Sequence, residues 1–444
     1  MIQRIRSWRD AVLESFWFVP LAMVAVGQAG VVGILVYGAD LGAALAALGW
    51  SEPSEAVNGL ARDIDPDRAA DVLTTVAGGM ITLVSIVFSL AFVALTLTSQ
   101  QLGPRVIDYW LRANATQGLL GLSLSAFFAS VTGLIAMGLV ERPGREALAG
   151  AGLASLLGAL ALIATAVFAT RMSDAIRADV TVARLGAAFV AAVKTSCADC
   201  APAGEAQAAQ ALARLAEQEG RVLSARRAGY VGAVALDWLA GEAKAKGLRI
   251  SVTVRENDFV LPGAPVALVL GLADGDERGL RAAGDLADRA LTLTERRRRT
   301  GMPDFEGDAL TEVALRALSP SMNDPYTAVS CIDRIGEGCC AMVRKGAPRR
   351  AVMEGEMARA ASPGCGADWL APRLFGPVLH AAEGQPLALE RLADRVADLE
   401  RVAREKGDWA ALDAAEALAK RAARAAARME DRMDAGAARP GGYA

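Results

Sequence analysis

The sequence predicts an α-helical membrane domain with four transmembrane helices, joined to an α+β cytoplasmic domain that holds a small lipoyl-like β-barrel and a helical C-terminal part. Three observations carry this prediction. Four runs without a charged residue fall at about 16–39, 72–101, 115–140 and 147–170, each long enough to cross ~30 Å of hydrocarbon at ~1.5 Å per residue. The mean hydropathy is +0.29 and 53% of the 444 residues are hydrophobic, more than a water-soluble chain of this size carries. After Thr170 no comparable run occurs, and β-type sequence is concentrated between residues 221 and 272.

The elements follow in order. The membrane domain covers 1–170. Arg4, Arg6 and Arg9 precede the first span, Arg105 and Arg112 follow the second, and Arg171, Arg177 and Arg184 follow the fourth. The loop after the first span is acidic, with Glu52, Glu55, Asp63, Asp65, Asp67 and Asp71 against Arg62 and Arg68. Arginine marks the cytoplasmic side, so both termini are expected there. The first apolar run is too long for the core of a cleavable leader.

A helical connector is expected over 171–220, a small barrel-like domain over 221–275, a mostly helical domain over 276–435 and a disordered tail over 436–444. GYVGAVALD and VRENDFVLPGAPVALV read as two halves of a lipoyl- or biotinyl-type barrel, with turns at Asn257-Asp258 and Pro262-Gly263. Lys244 and Lys246 fall in the helical piece DWLAGEAKAKG rather than on a hairpin tip, so the barrel is read as structural. EGDALTEVALRAL and DPYTAVSCIDRIGEGCCAMVRK read as helices, as does the Ala-, Arg- and Glu-rich sequence from Leu387 onward.

The second span carries the sharpest pattern. Asp71, Thr75, Gly78, Thr82, Ser85, Ser89, Phe92, Thr96 and Ser99 alternate spacings of 4 and 3, the 3.5-residue repeat of a helix seam. Small and hydroxylated residues let membrane helices approach closely. The same stripe, repeated around an axis by several copies, would line a water path with hydroxyls, with Phe92 as an apolar gate and Asp71 at the outer mouth. No span carries an ionisable side chain between its ends, although coupled carriers commonly need one. A passive pathway for inorganic ions therefore fits better than a pump. Gln28 in the first span is expected to bond a neighbouring helix.

Two segments carry a family resemblance. VSIVFSLAFVALTLTSQQLGPRVI (84–107) and ALRALSPSMNDPYTAVSCIDRI (314–335), the latter with the core S-P-x-x-N-D-P, resemble the bacterial membrane proteins grouped as domain of unknown function 2254. GYVGAV and VRENDFVLPGAPVALV are similar to the same pattern. The resemblance implies four spans, an inner-membrane location and a cytoplasmic C-terminal region, and no activity. The basic run Arg296–Arg299 is heavier than that pattern.

The remaining motifs are weaker. In SPSMNDPYTA, Asn323 or Asp324 can cap a helix with Pro325 in its first turn. Asn323, Asp324, Tyr326 and Thr327 form a candidate ligand site there, against the alternative of a capped helix at a contact. ERRRRT is either a site for phosphate or lipid headgroups, or a solvated run paired with acids of a neighbouring subunit. Cys197 and Cys200 form a lone C-x-x-C without a second pair, Cys339 and Cys340 are expected in the core, and His380 is the single histidine. No metal site, cofactor or catalytic constellation is expected, and a net charge of −3 gives no reason to expect nucleic acid. The sequence thus predicts a homo-oligomeric channel-like protein of the bacterial inner membrane, in contact with lipid. The alternative is a membrane-anchored sensor or scaffold whose cytoplasmic domain binds a partner or small ligand.

Overall fold

The computed structural model describes residues 18–47, 66–103, 114–139, 145–197, 204–295, 297, 302–346 and 348–437. The chain forms two compact units, residues 1–181 and 182–444. The flanking arginines at 4, 6, 9, 105 and 112, the acidic loop as far as Asp65, Arg296, Arg298, Arg299, Cys200 and the expected tail from 438 on lie outside the described residues.

The first unit contains α1 (Phe18–Ala47), α2 (Pro66–Leu102), α3 (Asn114–Leu139) and α4 (Arg145–Ile176). Helices α3 and α4 pack together, and each also packs on α1 and on α2. Three helices hold stretches long and apolar enough to cross a membrane: Asp67–Leu102, Gln117–Ala136 and Ala151–Thr170. The apolar stretch of α1 that can be assessed, Phe18–Ile34, is shorter, so three of the four expected spans stand among the described residues. Gln28 Oε1 accepts a hydrogen bond of 2.8 Å from Thr132 Oγ1 of α3, the interhelical bond its mid-span position suggests. Helix α2 packs through Leu73, Ala77, Met80, Val87, Ala91 and Ala94, all buried. A Cβ on Gly158 of α4 would stand 2.8 Å from Val76 Cγ1, so the absent side chain sets how closely α2 approaches.

The second unit is α+β. Its helices and strands run α5 (Ala178–Ser196), α6 (Glu205–Glu219), β1 (Arg221–Ser224), β2 (Gly229–Val234), α7 (Leu236–Ala245), β3 (Arg249–Val252), β4 (Phe259–Val260), β5 (Pro265–Leu270), α8 (Glu277–Ala290) and β6 (Leu291–Thr294). Then come α9 (Pro303–Ala317), α10 (Pro325–Lys345), β7 (Ala351–Glu354), β8 (Met357–Ala361), α11 (Ala367–Ala381), α12 (Pro386–Lys406) and α13 (Trp409–Ala437).

The expected barrel does not close. Strands β1, β5, β3, β8 and β7 form one sheet in that order, and β4, β2 and β6 form another. Pairing is antiparallel except for β3 with β8, where Ile250 lies beside Ala360 and Ser251 beside Ala361. The outer edge of β3 is therefore taken by a strand far along the chain, and β2 pairs with β6 instead of with β1, β3 or β5. Both predicted turns are present. Asn257 takes φ 68° and Gly263 φ 83°, with Ala264 N bonding back to Leu261 O, as Pro followed by Gly favours in a type II turn.

The five-stranded sheet buries Ile250, Val252, Val266 and Val269 with Leu239 of α7 and Leu286 of α8. Helix α6 covers its other face, placing Leu212 against Leu270 and Ala358. Helix α10 packs between α9, α11 and α12, and α13 closes on α11 and α12.

Candidate functional site

Two predicted sites can be built from their residues. Along α2, Asp71, Thr75, Gly78, Thr82, Ser85, Ser89, Phe92 and Thr96 are exposed and Ser99 is half-buried. The stripe thus lies on a side of α2 that the described residues of its own unit leave uncovered. Among the described residues of the first unit, α2 packs through Leu73, Ala77, Met80 and Ala91 on another face. The hydroxyls turn inward to the backbone. Thr75 donates to Asp71 O at 2.8 Å, Thr82 to Gly78 O at 3.0 Å, Ser85 to Ile81 O at 3.0 Å and Thr96 to Phe92 O at 2.9 Å. A hydroxyl satisfied in this way survives in an apolar medium and keeps lone pairs free to accept from water or a neighbouring chain. The Phe92 ring is 75% exposed, the most exposed large apolar residue of the described structure.

The S-P-x-x-N-D-P turn behaves as its residue types require. Asn323 takes φ 45°, and Asp324 caps α10 by accepting from Thr327 N at 3.1 Å, while Thr327 Oγ1 donates to its other oxygen. Pro325 occupies the first turn, where a missing N–H costs nothing. Asn323 Oδ1 accepts from Gln385 Nε2 at 3.1 Å, just before α12, and Tyr326 is exposed. The four residues are together, with Asp324 and Thr327 spent on each other. Asp324→Ala is expected to cost about 1 kcal/mol, seen as a lower melting temperature of the full-length protein in detergent and as earlier unfolding of α10 by hydrogen exchange.

A third cluster carries no sequence motif. Asp304 and Asp308, one turn apart on α9, have side chains only 2% and 10% exposed. Arg297 bridges them, giving one nitrogen to Asp304 Oδ2 at 2.8 Å and another to Asp308 Oδ2 at 2.9 Å. Arg373 of α11 adds two bonds to Asp308, and Asn257 Nδ2 donates to both Asp304 oxygens at 3.2 Å. Arg297, from the basic run read as a headgroup site or a partner for another subunit, is thus paired within its own chain. Burial pushes the Asp304 carboxyl up, against the opposing pull of Arg297 and Asn257. For Asp308 burial also pushes upward, but the bonds from Arg373 and Arg297 outweigh it and hold the carboxyl below its usual range. The signal in the sequence was an i, i+4 acid pair just after ERRRRT.

Burial raises the thiols of Cys331, Cys339 and Cys365, which keeps them protonated and unreactive, and His380 stands exposed on α11. Among the described residues no group of His, Cys, Asp or Glu is placed to hold a metal ion.

The family model described as Predicted membrane protein (DUF2254) matches residues 13–398. A Mycobacterium tuberculosis protein (strain H37Rv) and one from Mycobacterium bovis, both described as uncharacterized, are each 26% identical over 298 residues, 61% of this chain and 51% of the relative. The chain spans about half the length of these relatives. No solved structure matches.

Proposed function

Because the chain belongs to the DUF2254 family of predicted membrane proteins, we propose that it is a four-span protein of the bacterial inner membrane whose copies assemble around α2 into a passive ion pathway. The arginines flanking the spans place both termini in the cytoplasm in this reading. The observation that carries it is the uncovered 3.5-residue stripe of α2, hydroxylated along most of its length and interrupted at Phe92. A face of hydroxyls and small residues gains little from lipid tails and more from water or from a second copy of itself. The exposed Phe92 ring is the apolar constriction. The second unit would organise the assembly.

The test combines flux with labelling. Purified protein in liposomes is expected to pass ions, and Phe92→Ala to raise that flux several-fold. Cysteines placed at Thr82, Ser85 and Ser89 are expected to react with water-borne thiol reagents above the background of the native protein, whose described thiols are largely buried. No labelling at any of the three, with no flux from an intact oligomer, would overturn the pathway. A second reading, a membrane-anchored scaffold or sensor, is favoured by the back-bonded hydroxyls, which need no water. On that reading bulky polar substitutions of the stripe break the oligomer without opening a leak.

A further inference from the structure

Two cavities in the second unit share Arg255 and Ser362. One, of about 300 Å³, is lined by Val234, Leu236, Val254, Met302 and Trp369 together with several polar groups. The other, of about 270 Å³, lies between α6 and the five-stranded sheet and is lined by Ser251, Thr253 and Arg350 among others. Arg255 is half-buried. Its Nε donates to Gly364 O at 3.1 Å, and its guanidinium carbon lies 5.2 Å from the centre of the Trp369 ring. Among the described residues its guanidinium has no ion-pair partner and its terminal amino groups make no hydrogen bond.

The carboxylates lining the first cavity are already engaged, while Glu217, exposed on α6, lines the second. Asp304 is held by Arg297 and Asn257, Glu256 accepts from Val234 N, and Arg349 is taken by Asp237. Of the two residues that the cavities share, the charged one is Arg255. A second observation points the same way. Arg350, whose side chain is 11% exposed, gives its terminal nitrogens to Asp368, but its Nε is buried without a partner. The loop Ser362–Gly366 is shaped to these arginines, for a Cβ on Gly366 would stand 2.0 Å from a terminal nitrogen of Arg350.

We infer that the junction of these two cavities binds a small organic anion, its carboxylate or phosphate group on Arg255 and the hydroxyl of Ser362, and its apolar body in the cavity beside Trp369. A guanidinium with two free amino groups presents the paired donors that a planar carboxylate or a phosphate accepts. Half-burial strengthens that bond relative to one in open water, and the lining of Val234, Leu236, Val254 and Met302 rewards an apolar tail of modest size. The site is built from residues of the second unit and stands whether or not the α2 stripe conducts.

The test is calorimetric titration of the full-length protein in detergent with inorganic phosphate, phenyl phosphate and benzoate. Phenyl phosphate or benzoate is expected to bind at least about tenfold tighter than inorganic phosphate, and Arg255→Gln to weaken binding at least about tenfold. Tighter binding of one of the two aromatic probes assigns the head group as phosphate or carboxylate. If Arg255→Gln does not fold, Arg255→Lys keeps the charge without the paired donors and is expected to weaken binding as well. Absence of binding by all three probes up to about 10 mM, or aromatic anions that bind equally well to both variants, would overturn the site.

Discussion

Arg297→Met is expected to destabilise the second unit by about 3–5 kcal/mol. The guanidinium bridges two carboxylates that water scarcely reaches. Without it Asp304 keeps hydrogen bonds only from the neutral amide of Asn257, with the Arg373 charge farther off. Asp308 keeps Arg373, so the loss falls mainly on Asp304. The pH dependence has a definite sign. Burial holds the folded-state pKa of Asp304 above its ordinary 3.8, so the folded protein binds the extra proton and stability falls as pH rises through that window. Removing Arg297 pushes this pKa further up and extends the window toward neutrality. The destabilisation should therefore be largest near about pH 7 and shrink near about pH 5. Asp308 acts oppositely: its lowered pKa contributes stability that is present above 3.8 and lost as pH falls below it. Denaturant unfolding of the full-length protein at the two pH values measures this, and an equal loss at both would contradict it.

Gly338→Val should have a comparable effect. Gly338 lies on α10, and a Cβ there would stand 2.0 Å from Cε1 and 2.2 Å from Cδ1 of Phe189. That ring, on α5, is fully buried, so it has little room to yield. Overpacking of this kind costs typically 1–3 kcal/mol, and a branched side chain against a fixed ring belongs at about 3 kcal/mol or above. Phe189→Ala alone is expected to cost about 3–5 kcal/mol through the cavity it leaves. The double variant should be more stable than the sum of the two, because valine fills part of the space the ring vacates. Additive losses would show that the two side chains do not share that space.

Much of the fold was legible because its signals are local. Uncharged runs located the apolar helices, the Pro-Gly turn located the β4–β5 link, and Asp-Pro located the start of α10. The barrel reading failed for a nonlocal reason. GYVGAV and VRENDFVLPGAPVALV do form strands, but strand identity does not specify partners, and β6 and β8 captured the edges a barrel would have closed. Strands β7 and β8 were themselves hidden, since AVMEGEMARAA is rich in alanine and shows little alternation. The α2 stripe was readable from its spacing. Its outward placement was not, because that depends on which face α3 and α4 take. The burial of the α9 acid pair and the free guanidinium of Arg255 were not readable for a similar reason. Each also depends on distant groups, as Asn257 bonded to Asp304 and Arg255 bonded to Gly364 show.

The parallel pairing of β3 with β8 also has a consequence during synthesis. Its paired residues, Ile250 and Ala360, lie about 110 positions apart, so the nascent chain presents β1, β5 and β3 long before the strand that covers β3 has been made. Through that interval Arg249–Val252 is an open strand edge, the kind of template that invites pairing with another chain. Loop closure over this distance is also slow relative to helix formation. Translation past residue 361 therefore acts as a clock for this unit: the sheet is vulnerable until it strikes, and a chain released early keeps an adhesive edge.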